Sequence, residues 1–144
     1  MDSRDFYTLA EKLCEQENNE AALRSAVSRA YYAAFLACRD KIIPEIVFPE
    51  ACGKGKGSHE QVFLKLKSTI TIIGVESISQ EMREDFIRLG GTLSATREFR
   101  RDADYELDEP YYPDNVNAAM KDSKKILNMV DNLVSAIRNI KTRD

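Results

Sequence analysis

The sequence predicts an all-α protein, an antiparallel bundle of four to five helices. Three observations carry that prediction. Apolar residues recur every three or four positions through several long segments, Asp or Ser stands where those segments begin, and no segment of useful length alternates between apolar and polar as a half-buried strand does. At 144 residues the chain fits one domain, residues 1–144, able to bury roughly two-thirds of its unfolded surface.

The first amphipathic segment runs from about Ser3 to Gln16, with Phe6, Leu9, Ala10 and Leu13 inward and Asp2 or Ser3 as the cap. The second, from about Asn19 to Ile43, sets Leu23, Ala26, Val27, Ala30, Ala34 and Cys38 on one stripe, and its alanines favour both helicity and close approach of neighbours. "IPEIVFPEACGKGKG" then reads as a loop, because its prolines remove donors and its glycines resist ordering. Ser58 and Gln61 have capping-box spacing ahead of a short helix that turns Val62, Phe63 and Leu66 inward and ends near the β-branched run "TITII". Ser77 and Gln80 repeat that spacing before a fourth helix with Met82, Phe86, Leu89 and Leu93 on its core stripe. Gly90 and Gly91 interrupt this helix at about 1 kcal/mol each against alanine, which implies a kink or a tight helix contact, the contact being preferred. After "LDEPYYPDN" a last helix covers about Val116 to Lys141.

The net charge is −3 and the isoelectric point about 5.3, so the global basic field of a non-specific duplex binder is absent and any nucleic-acid contact must be local. No apolar run approaches the roughly 20 residues of a membrane span, and "MDSRDFYTLAEK" lacks a signal-peptide profile. No membrane association and a cytoplasmic location are the expectation. Cys14, Cys38 and Cys52 are odd in number and widely spaced, against both a disulfide framework and a thiolate metal site. No metal and no cofactor is expected.

The chemistry concentrates in "TREFRRDADYEL", residues 96–107. On a helix Arg97, Arg101 and Asp104 share a face, while Arg100 lies beside Asp104 and about 100° from Arg101. Three guanidiniums so close suit a phosphate, whose oxygens match their planar forks. The interleaved Glu98, Asp102, Asp104 and Glu106 allow the other reading, a solvated face of weak ion pairs. In "SAVSRAYYAAF", residues 25–35, Tyr31 and Tyr32, with Arg24 just before, are either a base-stacking surface or the edge of the core. His59, the single histidine, is either a local cap or packing residue, or part of an anion-binding helix start with Lys54 and Lys56.

"SAVSRAYYAAFLACRD", "GKGKGSHEQV" and "REFRRDADY", in this order, resemble the HEPN family of small helical proteins, over most of the chain from about Ala22 onward. The resemblance implies a homodimer that brings two arginine helices into one basic cleft, where the phosphate-binding reading expects the guanidiniums to be unpaired by their own carboxylates. It also implies binding of RNA or a nucleotide, and a place in toxin–antitoxin or antiphage loci, in some cases beside a nucleotidyltransferase-type partner protein. Many members are metal-independent endoribonucleases with a histidine four to six residues after an arginine. Here Arg100 matches the arginine, but Tyr105 stands where the histidine would be, and Leu107 stands where some members carry a modified tyrosine. A phenol of pKa near 10 is a poor proton shuttle at neutral pH beside an imidazole of pKa near 6.5. The leading expectation is therefore a phosphate-binding protein using Arg97, Arg100, Arg101 and Tyr105, helped by Arg24, Tyr31, Tyr32 and His59. The alternatives are an endoribonuclease toxin with Arg100, Tyr105 and Asp104 as its catalytic residues, and a non-catalytic protein-interaction module.

Overall fold

Asn19 opens the helix on which most of the molecule packs. Its backbone is extended and its side-chain oxygen accepts the Ala22 N–H at 3.0 Å, which satisfies one orphan donor and starts α2, Glu20–Ala37. The expected stripe of Leu23, Ala26, Val27, Ala30, Ala34 and Cys38 is buried throughout. Small side chains there let three helices pack against it: α1, Arg4–Cys14, α4, Gln80–Tyr105, and α5, Pro113–Arg143. α3, Ser58–Lys67, packs chiefly on α4. This computed structural model describes residues 1–48, 54–69 and 71–143. Pro49, Cys52 and Gly53, read from the sequence as loop or chemically silent, lie outside them.

The molecule is a helical bundle, as the sequence predicts. Contacts between helices fix opposite directions for neighbours. Arg24 near the start of α2 reaches Ala103 at the end of α4, Arg97 late in α4 pairs with Glu60 at the start of α3, and along α1 Arg4 pairs with Asp131 of α5 while the later Tyr7 donates to the earlier Met120 carbonyl. Phe86, Leu89 and Leu93 of α4 meet Phe63 and Leu66 of α3 and Ile126 and Leu127 of α5 in the larger core. A smaller core of Ala10, Leu23, Val27, Ala103 and Val116 closes the other end.

Local details depart from the sequence reading where neighbouring residues compete for one role. The helical path of α2 continues through a π turn, Cys38–Ile42, and a 3-10 turn, Ile43–Glu45, because Pro44 cannot donate within an α-helix. Ile46 and Val47, placed in a loop by the sequence, form β1 and pair antiparallel with β2, Thr71–Ile72, from the "TITII" run. Of the two caps expected for α1, Asp2 or Ser3, it is the Asp2 carboxylate that accepts a first-turn N–H, that of Arg4 at 3.0 Å. Gly57, not Ser58, holds the N-cap of α3, and Gln61 donates to the Lys56 carbonyl at 2.8 Å. For α4 the capping serine is Ser79, two residues beyond the expected Ser77, and its hydroxyl accepts the Met82 N–H. Leu9, expected inward, is exposed.

The two helical glycines separate cleanly. A Cβ on Gly90 would lie 3.1 Å from Lys67 Cγ, 3.2 Å from Leu66 Cβ and 3.3 Å from the Phe63 carbonyl, so Gly90 is the close contact that seats α3 on α4. Gly91 faces open space. Gly91→Ala is expected to raise stability by about 1 kcal/mol, whereas Gly90→Ala lowers it by about 1 kcal/mol as crowding outweighs propensity. Urea denaturation of the two variants checks the opposite signs.

Candidate functional site

α4 sets the arginines three and four residues apart, and the packing of α2 and α3 against it decides which of them share a site. Arg97 and Arg100 turn toward those helices. The Arg97 guanidinium carbon stands 5.7 Å from the centroid of the Phe63 ring on α3. The Arg100 carbon lies 5.6 Å from that of Tyr32 on α2 and 5.9 Å from that of Tyr105. Aromatic faces attract and hold such cations in place. Arg101, which the helical repeat places on the face of Arg97, instead points to solvent beside Glu98 at 3.6 Å. The site therefore groups Arg97 with Arg100, and Arg101 stands apart.

These guanidiniums are not free of carboxylates, which corrects the expectation that they are unpaired. Arg100 Nε lies 2.8 Å from Asp104 Oδ2, although the N–H is not aligned on an acceptor and is shut away from solvent. The Ser28 hydroxyl approaches the same carboxylate oxygen at 3.5 Å. Among the described residues Arg97 meets one carboxylate, that of Glu60 at 3.9 Å, a half-exposed side chain at the limit of an ion pair, and its Nε is likewise buried without a hydrogen-bond partner among them. Arg100 is thus partly neutralised, and Arg97 barely.

His59, in the first turn of α3, completes the cluster. Its ring stacks on Phe35 at 4.2 Å between centroids and lies edge-on to Tyr32 at 6.3 Å, and its Nδ1 is 2.5 Å from the Tyr31 hydroxyl. Burial, then the charges of Arg97 and Arg100, hold its pKa below the usual imidazole value. The positive end of the α3 dipole acts in the same direction. As pH falls through about 6.5 the unfolded chain takes up the proton before the folded one, so stability is lost on acidification. Between about pH 6.5 and 5, above the range of ordinary carboxylates, the urea midpoint is expected to fall in the wild type and to fall less in His59→Gln.

The structure places the remaining expected residues differently. Tyr31 is fully buried, so its ring offers no surface to a base, and burial raises its pKa. Tyr32 is partly exposed, and Tyr105 is 67% exposed at the end of α4. Arg24 is a correction: it is buried and its guanidinium is committed to protein oxygens, donating to the carbonyls of Ala103 at 2.9 Å and Glu106 at 3.1 Å and pairing with Glu20. It cannot serve a phosphate while it holds the end of α4. Glu60 and Phe63 belong to the cluster and were missed, though the neighbouring "SH" of "GSHEQVF" marked their segment.

The arrangement can hold an anion by charge and directed donors. Among the described residues no three His, Cys, Asp or Glu side chains come together as a metal site, and no helix is long and apolar enough to cross a membrane. Comparison of the chain with family models, with curated proteins and with solved structures returns no match.

Proposed function

We propose that this protein is a HEPN-like RNA- or nucleotide-phosphate-binding protein that acts as a homodimer, in a toxin–antitoxin or antiphage system with a nucleotidyltransferase-type partner. The observation that carries the binding reading is the pairing of Arg97 and Arg100 on aromatic supports beside His59. Among the described residues, the carboxylate paired with Arg97 is a half-exposed one at 3.9 Å. Such a pair contributes under about 1 kcal/mol, whereas each hydrogen bond to a charged phosphate oxygen contributes about 1.5–3 kcal/mol. A phosphate oxygen therefore makes the stronger contact with Arg97 than Glu60 does. The dimer, the defence context and the partner rest on the sequence resemblance.

A catalytic reading has one observation in its favour, the contact of the Arg100 guanidinium with the exposed Tyr105 ring. In it Arg100 stabilises the charge developing on phosphorus, Asp104 orients Arg100, and Tyr105 donates to a phosphate oxygen. Incubation of the protein with labelled RNA in a metal chelator separates the readings. Binding without cleavage, weakened steeply by salt, is the expected result. Cleavage abolished by Arg100→Ala would establish the enzyme, and indifference of RNA to Arg97→Ala and Arg100→Ala would leave a protein-interaction module.

A further inference from the structure

We propose that Tyr31 fixes His59 as a neutral hydrogen-bond donor, so that its Nε2–H joins the guanidiniums of Arg97 and Arg100 in holding one anionic group. This deepens the phosphate-site reading and rests on it for the ligand; the placement of the proton rests on geometry.

The Tyr31 side chain is fully buried, and its hydroxyl has one hydrogen-bond partner among the described residues, Nδ1 of His59. A buried O–H without an acceptor is costly, so the phenol donates and Nδ1 accepts. The reverse, Nδ1–H donating to the phenolic oxygen, would leave the phenolic hydrogen directed into a core that includes Phe35 and Cys38. A neutral imidazole that accepts at Nδ1 carries its proton on Nε2.

Two further features hold this state. Phe35 stacks at 24° to the imidazole and Tyr31 at 23°, so the ring plane is set by two stacked aromatic neighbours. The charged and titratable groups around the ring are Arg97 and Arg100 from α4, Tyr31 and Tyr32 from α2, and Glu60 next to it in α3. Both cations oppose imidazolium, as does the helix N-terminus. Nε2 engages no hydrogen bond among the described residues, which leaves its donor open to a ligand.

The chemical consequence is specific. An imidazole protonated on Nε2 and bonded through Nδ1 has no lone pair to offer a substrate, so His59 polarises and positions an anion and does not take a proton from a ribose hydroxyl. A neutral histidine beside positive groups is suited to that electrophilic role. His59 is then a binding residue and Tyr31 a positioning residue.

His59 is the single histidine of the chain, so long-range proton–nitrogen correlation spectra of uniformly nitrogen-15-labelled protein read its ring without ambiguity. At pH 7 and without ligand, Nδ1 is expected at the shift of a bare nitrogen and Nε2 at that of a protonated one. Sulfate, which does not titrate near neutrality, should then move the Nε2–H resonance without protonating Nδ1. Tyr31→Phe should relax the tautomer ratio from a nearly pure Nε2–H form to the weaker intrinsic preference of a free histidine and weaken sulfate several-fold, with its melting transition confirming the fold. A wild-type ring protonated on Nδ1, or on both nitrogens, overturns the inference and leaves the arginine site standing. Sulfate binding that leaves Nε2–H unmoved overturns the donor role alone. No sulfate binding to the wild type, with the Nε2–H tautomer present, overturns the anion site and with it the donor role. The wild-type spectrum decides the tautomer even if the variant does not fold.

Discussion

Arg24→Ala is expected to lower the stability of the protein by about 3 kcal/mol, the range for breaking a buried, hydrogen-bonded charge network. The last carbonyls of a helix have no partners within it. Arg24 supplies them for α4: Nη1 donates to Ala103 at 2.9 Å and more distantly to Asp102 at 3.3 Å, and Nη2 donates to Glu106 and, in the following loop, to Glu109. Glu20 balances the charge and also accepts the Tyr111 N–H at 2.9 Å, and the guanidinium carbon stands 4.8 Å from the Tyr111 ring centroid. One side chain therefore ties the start of α2, the end of α4 and the loop before α5. Arg24→Lys should restore little, because a point ammonium cannot serve carbonyls on two sides of a planar fork. Urea denaturation reads both variants; a loss below 1 kcal/mol for Arg24→Ala would show that water satisfies those carbonyls equally well.

The double variant Arg97→Ala with Arg100→Ala is expected to weaken single-stranded RNA binding by about 100-fold at moderate salt, from two lost charge-assisted contacts of about 1.5 kcal/mol each. The dependence of affinity on salt should flatten as well, by about 0.7 in the logarithmic slope for each phosphate contact removed. Arg101→Ala is the control, since Arg101 is exposed and apart from His59. If all three arginines contribute equally, binding is diffuse surface electrostatics and the clustered site is wrong. The fold should survive the double variant, because both side chains lie at the edge of the core and their ion pairs are partly solvated.

The helices and their inner faces were legible because they are written locally. The stripe from Leu23 to Cys38 and the run of Phe86, Leu89 and Leu93 are buried as spacing implied. Boundaries were less legible, since Ser77 and Ser79, or Gly57 and Ser58, differ only in which backbone turns first, and packing chooses between them. Of the site, Arg97, Arg100 and His59 were named from the sequence, but as part of a larger set from which Arg101 and Arg24 were not set apart. Helical geometry sets Arg97 equally well beside Arg100 or Arg101, and the positions of α2 and α3 select Arg100.

By itself, then, the chain determined an all-helical bundle and a charged stretch on its fourth helix, because periodicity and capping act within a few residues. Only the tertiary structure decided what those charges do. Arg24 meets Ala103 across 79 residues and Tyr31 meets His59 across 28; each is a hydrogen bond between elements whose approach is set by the burial of many distant side chains at once. Tertiary packing made one arginine a helix cap, left two beside an aromatic-bound histidine, and turned the fourth to water.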